Sequence, residues 1–226
     1  MGKSYVVMLC TMLLLLGACG KPNSTAMDNS GTSKGSATTE NGTSKPGQGK
    51  EHAEAIDMID YFPPDGTQAR FEGVGNEFAE FEIEVAHPTD HYVIIHENNG
   101  GAIVRRIFRL EPNAINILEE QVVENKEDFP DLPALEEMTP TGVYLKKPFT
   151  EGTTFGFWTI VDTDATVETP YQTFDNALVI EEKGKDYINR KYFVKGIGEV
   201  KRESVMQTTD GEEFTVTSSL ESIEDL

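Results

Sequence analysis

Two cysteines occur in the 226 residues, Cys10 and Cys19, and Cys19 sits where thiol chemistry is plausible on sequence grounds. It ends the run Leu16-Gly17-Ala18-Cys19. A thiolate can be alkylated by a lipid donor, and small residues at Gly17 and Ala18 let a peptidase approach the bond before it. Other candidates for chemistry are weaker. His87-Pro88-Thr89-Asp90-His91 could offer two imidazoles and a carboxylate to one zinc ion at a hairpin end, but polar turn residues account for it more simply. Asp162-Thr163-Asp164 runs into Ala165, without the glycine and the later bidentate glutamate of a calcium loop. No Gly-x-Ser-x-Gly elbow is present. Acidic residues are too abundant for any pair to stand out as a glycosidase couple. The expectation is a non-enzymatic protein with no catalytic residue, no metal site and no cofactor.

Binding is the more open question. Phe155, Phe157, Trp158 and Tyr192, within a wider aromatic group, would line an apolar ligand cleft if a sheet curls around them. Alternation along a single strand from Thr153 to Val161 puts Phe155 and Phe157 on one face and Trp158 with Ile160 on the other. Both faces are then apolar, which favours a central, covered strand and core packing over a cleft. Arg105, Arg106 and Arg109 form the one basic cluster, read as exposed partners of neighbouring strand carboxylates, worth about 0–1 kcal/mol each.

The elements that must position these residues fall into three spans. Lys3 followed by the apolar run Tyr5 to Leu16 reads as an export signal, since the run is well short of the roughly 20 residues of a membrane span. The tetrapeptide ending at Cys19 resembles the lipobox of bacterial lipoproteins, which implies diacylation of Cys19 and cleavage before it. Residues 1–18 are then a lipoprotein signal peptide, and residues 19–50 the lipidated cysteine with a Gly-, Ser-, Thr- and Asn-rich tether lacking aromatics. Residues 51–226 form the folded extracytoplasmic domain. They hold 14 Lys and Arg against 37 Asp and Glu, a net charge near -23 that repels nucleic acid and anionic headgroups. No cysteine remains there for a disulfide.

Within that domain the periodicity is mostly two. Ala79, Phe81, Ile83 and Val85 alternate with glutamates, Asn98-Asn99-Gly100-Gly101 and Asp210-Gly211 mark hairpins, and Glu119 to Pro140 reads as a proline-punctuated loop. The predicted fold is mainly β, a curved, largely antiparallel sheet of about ten strands, a half-barrel or a partly closed barrel.

Tyr61-Phe62-Pro63-Pro64-Asp65-Gly66, Leu145 to Phe155, Thr169 to Ile180 and Tyr192 to Glu203, with its Lys195-Gly196-Ile197-Gly198-Glu199-Val200-Lys201, together resemble a group of extracytoplasmic lipoproteins of Firmicutes. Ala69 and Phe71 stand where that group has tryptophan and tyrosine. The resemblance implies an envelope location and no particular activity. The expected function is a lipid-anchored, non-catalytic interaction or structural role toward an envelope protein or wall polymer. The alternative is a carrier for a small hydrophobic molecule. An internal cavity beside Trp158 favours the carrier, and a filled core favours the interaction module.

Overall fold

Twelve antiparallel strands form one sheet in a computed structural model that describes residues 57–126, 129–208 and 211–224. Cys19, the signal segment and the tether lie outside the described residues. In chain order the strands are β1 Gln68–Val74, β2 Phe81–Thr89, β3 Tyr92–Asn98, β4 Ile103–Glu111, β5 Ala114–Val123, β6 Gly142–Lys146, β7 Thr154–Phe155, β8 Trp158–Glu168, β9 Thr173–Lys183, β10 Tyr187–Val194, β11 Gly198–Gln207 and β12 Glu213–Glu224. The sheet order runs β6-β5-β4-β3-β2-β1-β12-β11-β10-β9-β8-β7. First and last strands therefore pair in the middle, and β6 and β7, neighbours in the chain, are the two edges. The result is a mainly β, curved antiparallel sheet nearly closed into a barrel, with one open seam between β6 and β7. Edge β7 has only two residues, which leaves little backbone for unwanted strand addition.

Alternation sets the inside. In β2, Phe81, Ile83 and Val85 are buried in the barrel while the intervening glutamates point out. They join Phe71, Phe108, Tyr144, Ile160, Ile180, Phe193 and Leu220 in one apolar cluster. Strands β3 and β4 are covered on both faces, because a short helix α1, Leu132–Glu137, lays Leu135 over Tyr92, Ile94, Ile107 and Leu118. This corrects the reading of Glu119 to Pro140 as a plain loop. Strand β5 continues to Val123, and Asp131 caps α1 by accepting the Ala134 N–H at 3.0 Å. Pro133 sits at the start of the helix, where its missing N–H costs nothing.

A 3₁₀ turn, Met58–Tyr61, closes one end of the barrel. Tyr61 meets the Phe149 ring at 4.9 Å, and Phe62 stacks on Tyr144 and packs at a tilt against Phe108. The Lys195-Gly196-Ile197-Gly198 turn makes this fit possible. Gly198 has φ +90°, and a Cβ there would approach Pro63 Cδ and the Tyr61 carbonyl at 3.0 and 3.1 Å. A side chain would be strained and would push out the plug. Among the described residues the two apolar clusters run from Met58 to Ile223.

Thr153 to Val161 is not one strand. Gly156, at φ +55°, and Phe157 form a two-residue turn between β7 and β8, and Phe155 pairs with Trp158 across the hairpin. The period-two count breaks at that turn. Phe155 is buried, whereas Phe157 sits at the tip, 86% exposed.

Candidate functional site

Strand pairing inside the barrel brings charged residues together from four strands. Lys191 on β10 lies directly opposite Arg202 on β11. Arg106 comes from β4, Glu97 from β3, and Glu199 from the start of β11. Arg202 Nη1 approaches Glu97 at 2.7 Å, and its Nε donates to Glu199. Arg106 Nη1 donates to Glu97 at 2.6 Å, and Lys191 Nζ lies 3.3 Å from Glu199. The Tyr144 hydroxyl donates to Glu199 Oε2 at 2.7 Å. Aromatic faces complete the layer: Arg202 lies 4.5 Å from the Phe81 centroid, and Lys191 lies 5.0 and 5.7 Å from those of Tyr144 and Trp158.

Sequence reasoning read Arg106 as an exposed surface partner. Its side chain is instead only 18% exposed and faces the barrel interior, while Arg105 lies on the outer face with Glu119 at 2.8 Å. The arginines do pair with strand carboxylates, as expected, and Arg109 contacts Glu111 at 3.6 Å. Lys191, Glu199 and Arg202 were not singled out from sequence. The signal available was a Lys opposite an Arg in a strand pair with aromatic neighbours, and it becomes visible only with the register known.

The electrostatics follow from burial and proximity. Burial opposes the Glu199 carboxylate, but Arg202, Lys191 and the Tyr144 hydroxyl outweigh it and hold the group at about 2, against the ordinary 4.5. Glu97 is likewise held low, burial being outweighed by Arg202 and Arg106. Burial, with Glu199 beside it, pushes the Tyr144 phenol well up. Lys191 is pushed down by burial and by the guanidiniums of Arg202 and Arg106, against the pull of Glu199. Depressed carboxylates stabilise the fold above their ordinary range, and that stabilisation is lost as pH falls toward the folded value. Acid unfolding should therefore steepen below about pH 4.5 and continue toward pH 2. A Glu199→Gln chain should show a shallower stability slope across that window in denaturant titrations at fixed pH.

The ionic layer divides two spaces. On the plugged side is a void of about 30 Å³, bordered by Phe62, Phe108, Tyr144 and Glu199, enough for one water. On the other side the barrel opens into a mouth cavity of about 330 Å³. Lys191 and Arg202 border both. The mouth has apolar walls of Trp158, Phe78, Ala79 and Val216, interspersed with the polar side chains of Asn189, Ser204 and Ser218. Ser204 Oγ donates to Asn189 Oδ1 at 2.8 Å. The Phe78–Ala79 wall is fastened by Ser218, whose hydroxyl donates to the Ala79 carbonyl at 2.6 Å.

Of the four aromatics considered for a cleft, Trp158 borders this cavity half-buried, and Phe155 packs in the core beside it. Phe157 projects from the hairpin tip. Tyr192 alternates to the outer face, where Lys201 lies 5.7 Å from its ring centroid. His87 lies near the end of β2 and Asp90 and His91 in the β2–β3 turn, and no group of three or more metal-ligating side chains gathers among the described residues. Asp162 and Asp164 lie in β8, where the Asp164 N–H bonds Asp162 Oδ1 at 2.9 Å. Among the described residues no helix is long and apolar enough to cross a membrane.

No family model matches the chain, and no curated protein matches it. Two solved structures align with it. One is described as an exported protein with a YmcC-like fold from Bacteroides fragilis, at 15% identity and TM-score 0.46, covering 73% of this chain and 99% of that one. The other is described as a lipoprotein from Parabacteroides distasonis, at 15% identity and TM-score 0.42, covering 73% and 98%. Both sources are Bacteroidetes rather than Firmicutes. Likeness at this level leaves the contents of the barrel to be argued from its own residues.

Proposed function

We propose that this chain is a lipid-anchored envelope protein whose barrel carries or binds a small, largely hydrophobic molecule in its mouth. Cys19 would bear the lipid, and the span to residue 50 would hold the barrel away from the membrane outside the cytoplasm. The lipobox-like run Leu16-Gly17-Ala18-Cys19 supports the envelope setting. The observation that carries the binding reading is the cavity of about 330 Å³ beside Trp158, within the range of small-molecule pockets of about 300–1,000 Å³. Most of the barrel is filled, but this end is not, so the carrier reading is favoured over a purely structural one.

Trp158 is the sole tryptophan, which makes it a built-in reporter. A chain lacking residues 1–18 and carrying Cys19→Ser avoids detergent. Titrated with the neutral dye N-phenyl-1-naphthylamine, it should show saturable dye emission with matching loss of Trp158 emission. Ser204→Phe, which fills the cavity, should weaken dye binding by at least about tenfold, or about 1.4 kcal/mol. Equal dye binding by the filled variant would place the dye elsewhere and remove the support for a carrier.

A further inference from the structure

We infer that the molecule held in the mouth bears a single anionic headgroup, a carboxylate or phosphate, seated on Lys191 and Arg202 with its apolar part against Trp158, Phe78 and Val216. This deepens the carrier reading and rests on it. The argument begins with the strand register. Lys191 and Arg202 are directly opposed cross-strand partners inside the barrel, and like charges so placed destabilise a sheet. The layer sets three cations, Lys191, Arg202 and Arg106, against two carboxylates, Glu97 and Glu199.

The layer is also polarised. Glu199 borders the small inner void and not the mouth, while Lys191 and Arg202 border the mouth as well. Arg190 and Glu203, which also border it, alternate to the outer face, where they pair with each other at 2.7 Å. Toward the opening, the interior face of the layer therefore presents cations. Lys191 has three N–H donors, and the partners given above are one carboxylate and two ring faces. Arg202 spends Nε and Nη1 on Glu199 and Glu97. An anion entering above them relieves the mutual repulsion that, with burial, holds Lys191 down.

The apolar part follows from the walls. Ser218 lies level with Lys191 and Arg202 in the register, and the next row outward is Asn189, Ser204 and Val216, with Trp158 and Phe78 also walling the cavity. Further out on the same strand faces are Tyr187, Met206 and Phe214, a partly exposed apolar row whose members pair across β10, β11 and β12. Polarity thus runs from a cationic floor, through a mixed row in which Asn189 and Tyr187 both donate to Glu182, to a largely apolar rim, the order an amphiphile needs when it enters head first. The acidic exterior does not contradict this, since exposed charges are screened within about 8 Å at physiological salt whereas the floor is not.

The test is a headgroup series on the same Cys19→Ser chain, read by Trp158 emission below micelle-forming concentrations. Dodecanoate or dodecyl phosphate should bind at least about tenfold tighter than dodecanol, with dodecylammonium weaker still. Comparing the two acids identifies which headgroup the floor prefers. Acetate and inorganic phosphate, lacking a chain, should leave the emission unchanged. Lys191→Gln should bring the better acid to within about twofold of dodecanol, and Lys191→Arg should keep most of the preference. Dodecanol binding as tightly as both acids would overturn the headgroup assignment while leaving the carrier reading in place. Failure of every amphiphile and of the neutral dye would remove both. The ranking on the unsubstituted floor decides the matter even if Lys191→Gln fails to fold.

Discussion

Replacing Arg202 with leucine should destabilise the barrel by about 3–5 kcal/mol, the range for breaking a buried ion pair on one side. Arg202 is the shared counter-ion of Glu97 and Glu199, and its removal strands two carboxylates in a protein interior. Arg106 and Lys191 remain, one beside each carboxylate, so the cost should stop short of abolishing the fold. For a domain of this size the loss corresponds to a melting temperature lower by on the order of 10 °C. The comparison that gives this meaning is Arg70→Leu. Arg70 touches three carboxylates, Glu80, Glu82 and Glu221, and by contact number outranks Arg202. All of those side chains lie open to solvent, and water replaces what is lost, so little change is expected. The penalty at Arg202 should also shrink in acid, as the stranded carboxylates take up protons. Equal melting temperatures for the two variants, or a penalty at Arg202 indifferent to pH, would mean that the layer is not held together by charge.

That layer marks the limit of what could be read before the register was known. The barrel itself was legible because alternation is local. Phe81, Ile83 and Val85 declare an inner face without reference to any other strand. Turn residues such as Asn98 to Gly101 mark where a strand must reverse. The count fell two strands short partly because Thr153 to Val161 hides a two-residue hairpin at Gly156-Phe157. A glycine followed by phenylalanine among apolar residues looks like continuation, and only the positive φ at Gly156 distinguishes it. Helix α1 was missed for a related reason, since Pro133 reads as a breaker until Asp131 is seen to cap the turn it opens.

The candidate site was harder because it is assembled by pairing. Lys191 and Arg202 are separated by a hairpin and Glu97 comes from the other half of the chain, so no spacing in the sequence announces them. Trp158 was noticed as an aromatic, but its neighbours Phe78 and Val216 come from a loop beside β1 and from β12. The Tyr192 assignment shows the same dependence. One position along β10 separates it from Lys191, and that single step moves a side chain from the floor of the cavity to the outside of the barrel.

A single added carbon at Gly73 should disable the mouth although Gly73 is not part of its lining. Gly73 lies in β1 directly beneath the loop that supplies Phe78 and Ala79. A Cβ there would fall 2.1 Å from the Glu80 nitrogen and 2.4 Å from the Ala79 carbonyl carbon. Both are backbone atoms, so no rotamer change relieves the clash and the loop must lift. Lifting it breaks the bond from Ser218 Oγ to the Ala79 carbonyl and unburies Ala79. Gly73→Ala should therefore cost about 3 kcal/mol, at the upper end of ordinary overpacking. Because the displaced loop is one wall of the cavity, dye and amphiphile affinity should fall by at least about tenfold as well. Gly100→Ala separates this from a general intolerance of glycine replacement. Its φ of +79° makes alanine strained by about 1 kcal/mol, yet a Cβ there meets nothing within 4 Å. That variant should lose a little stability and no affinity. If Gly73→Ala instead behaves like Gly100→Ala, with ligand titrations unchanged, then the loop does not wall the cavity and the ligand does not sit between Phe78 and Trp158.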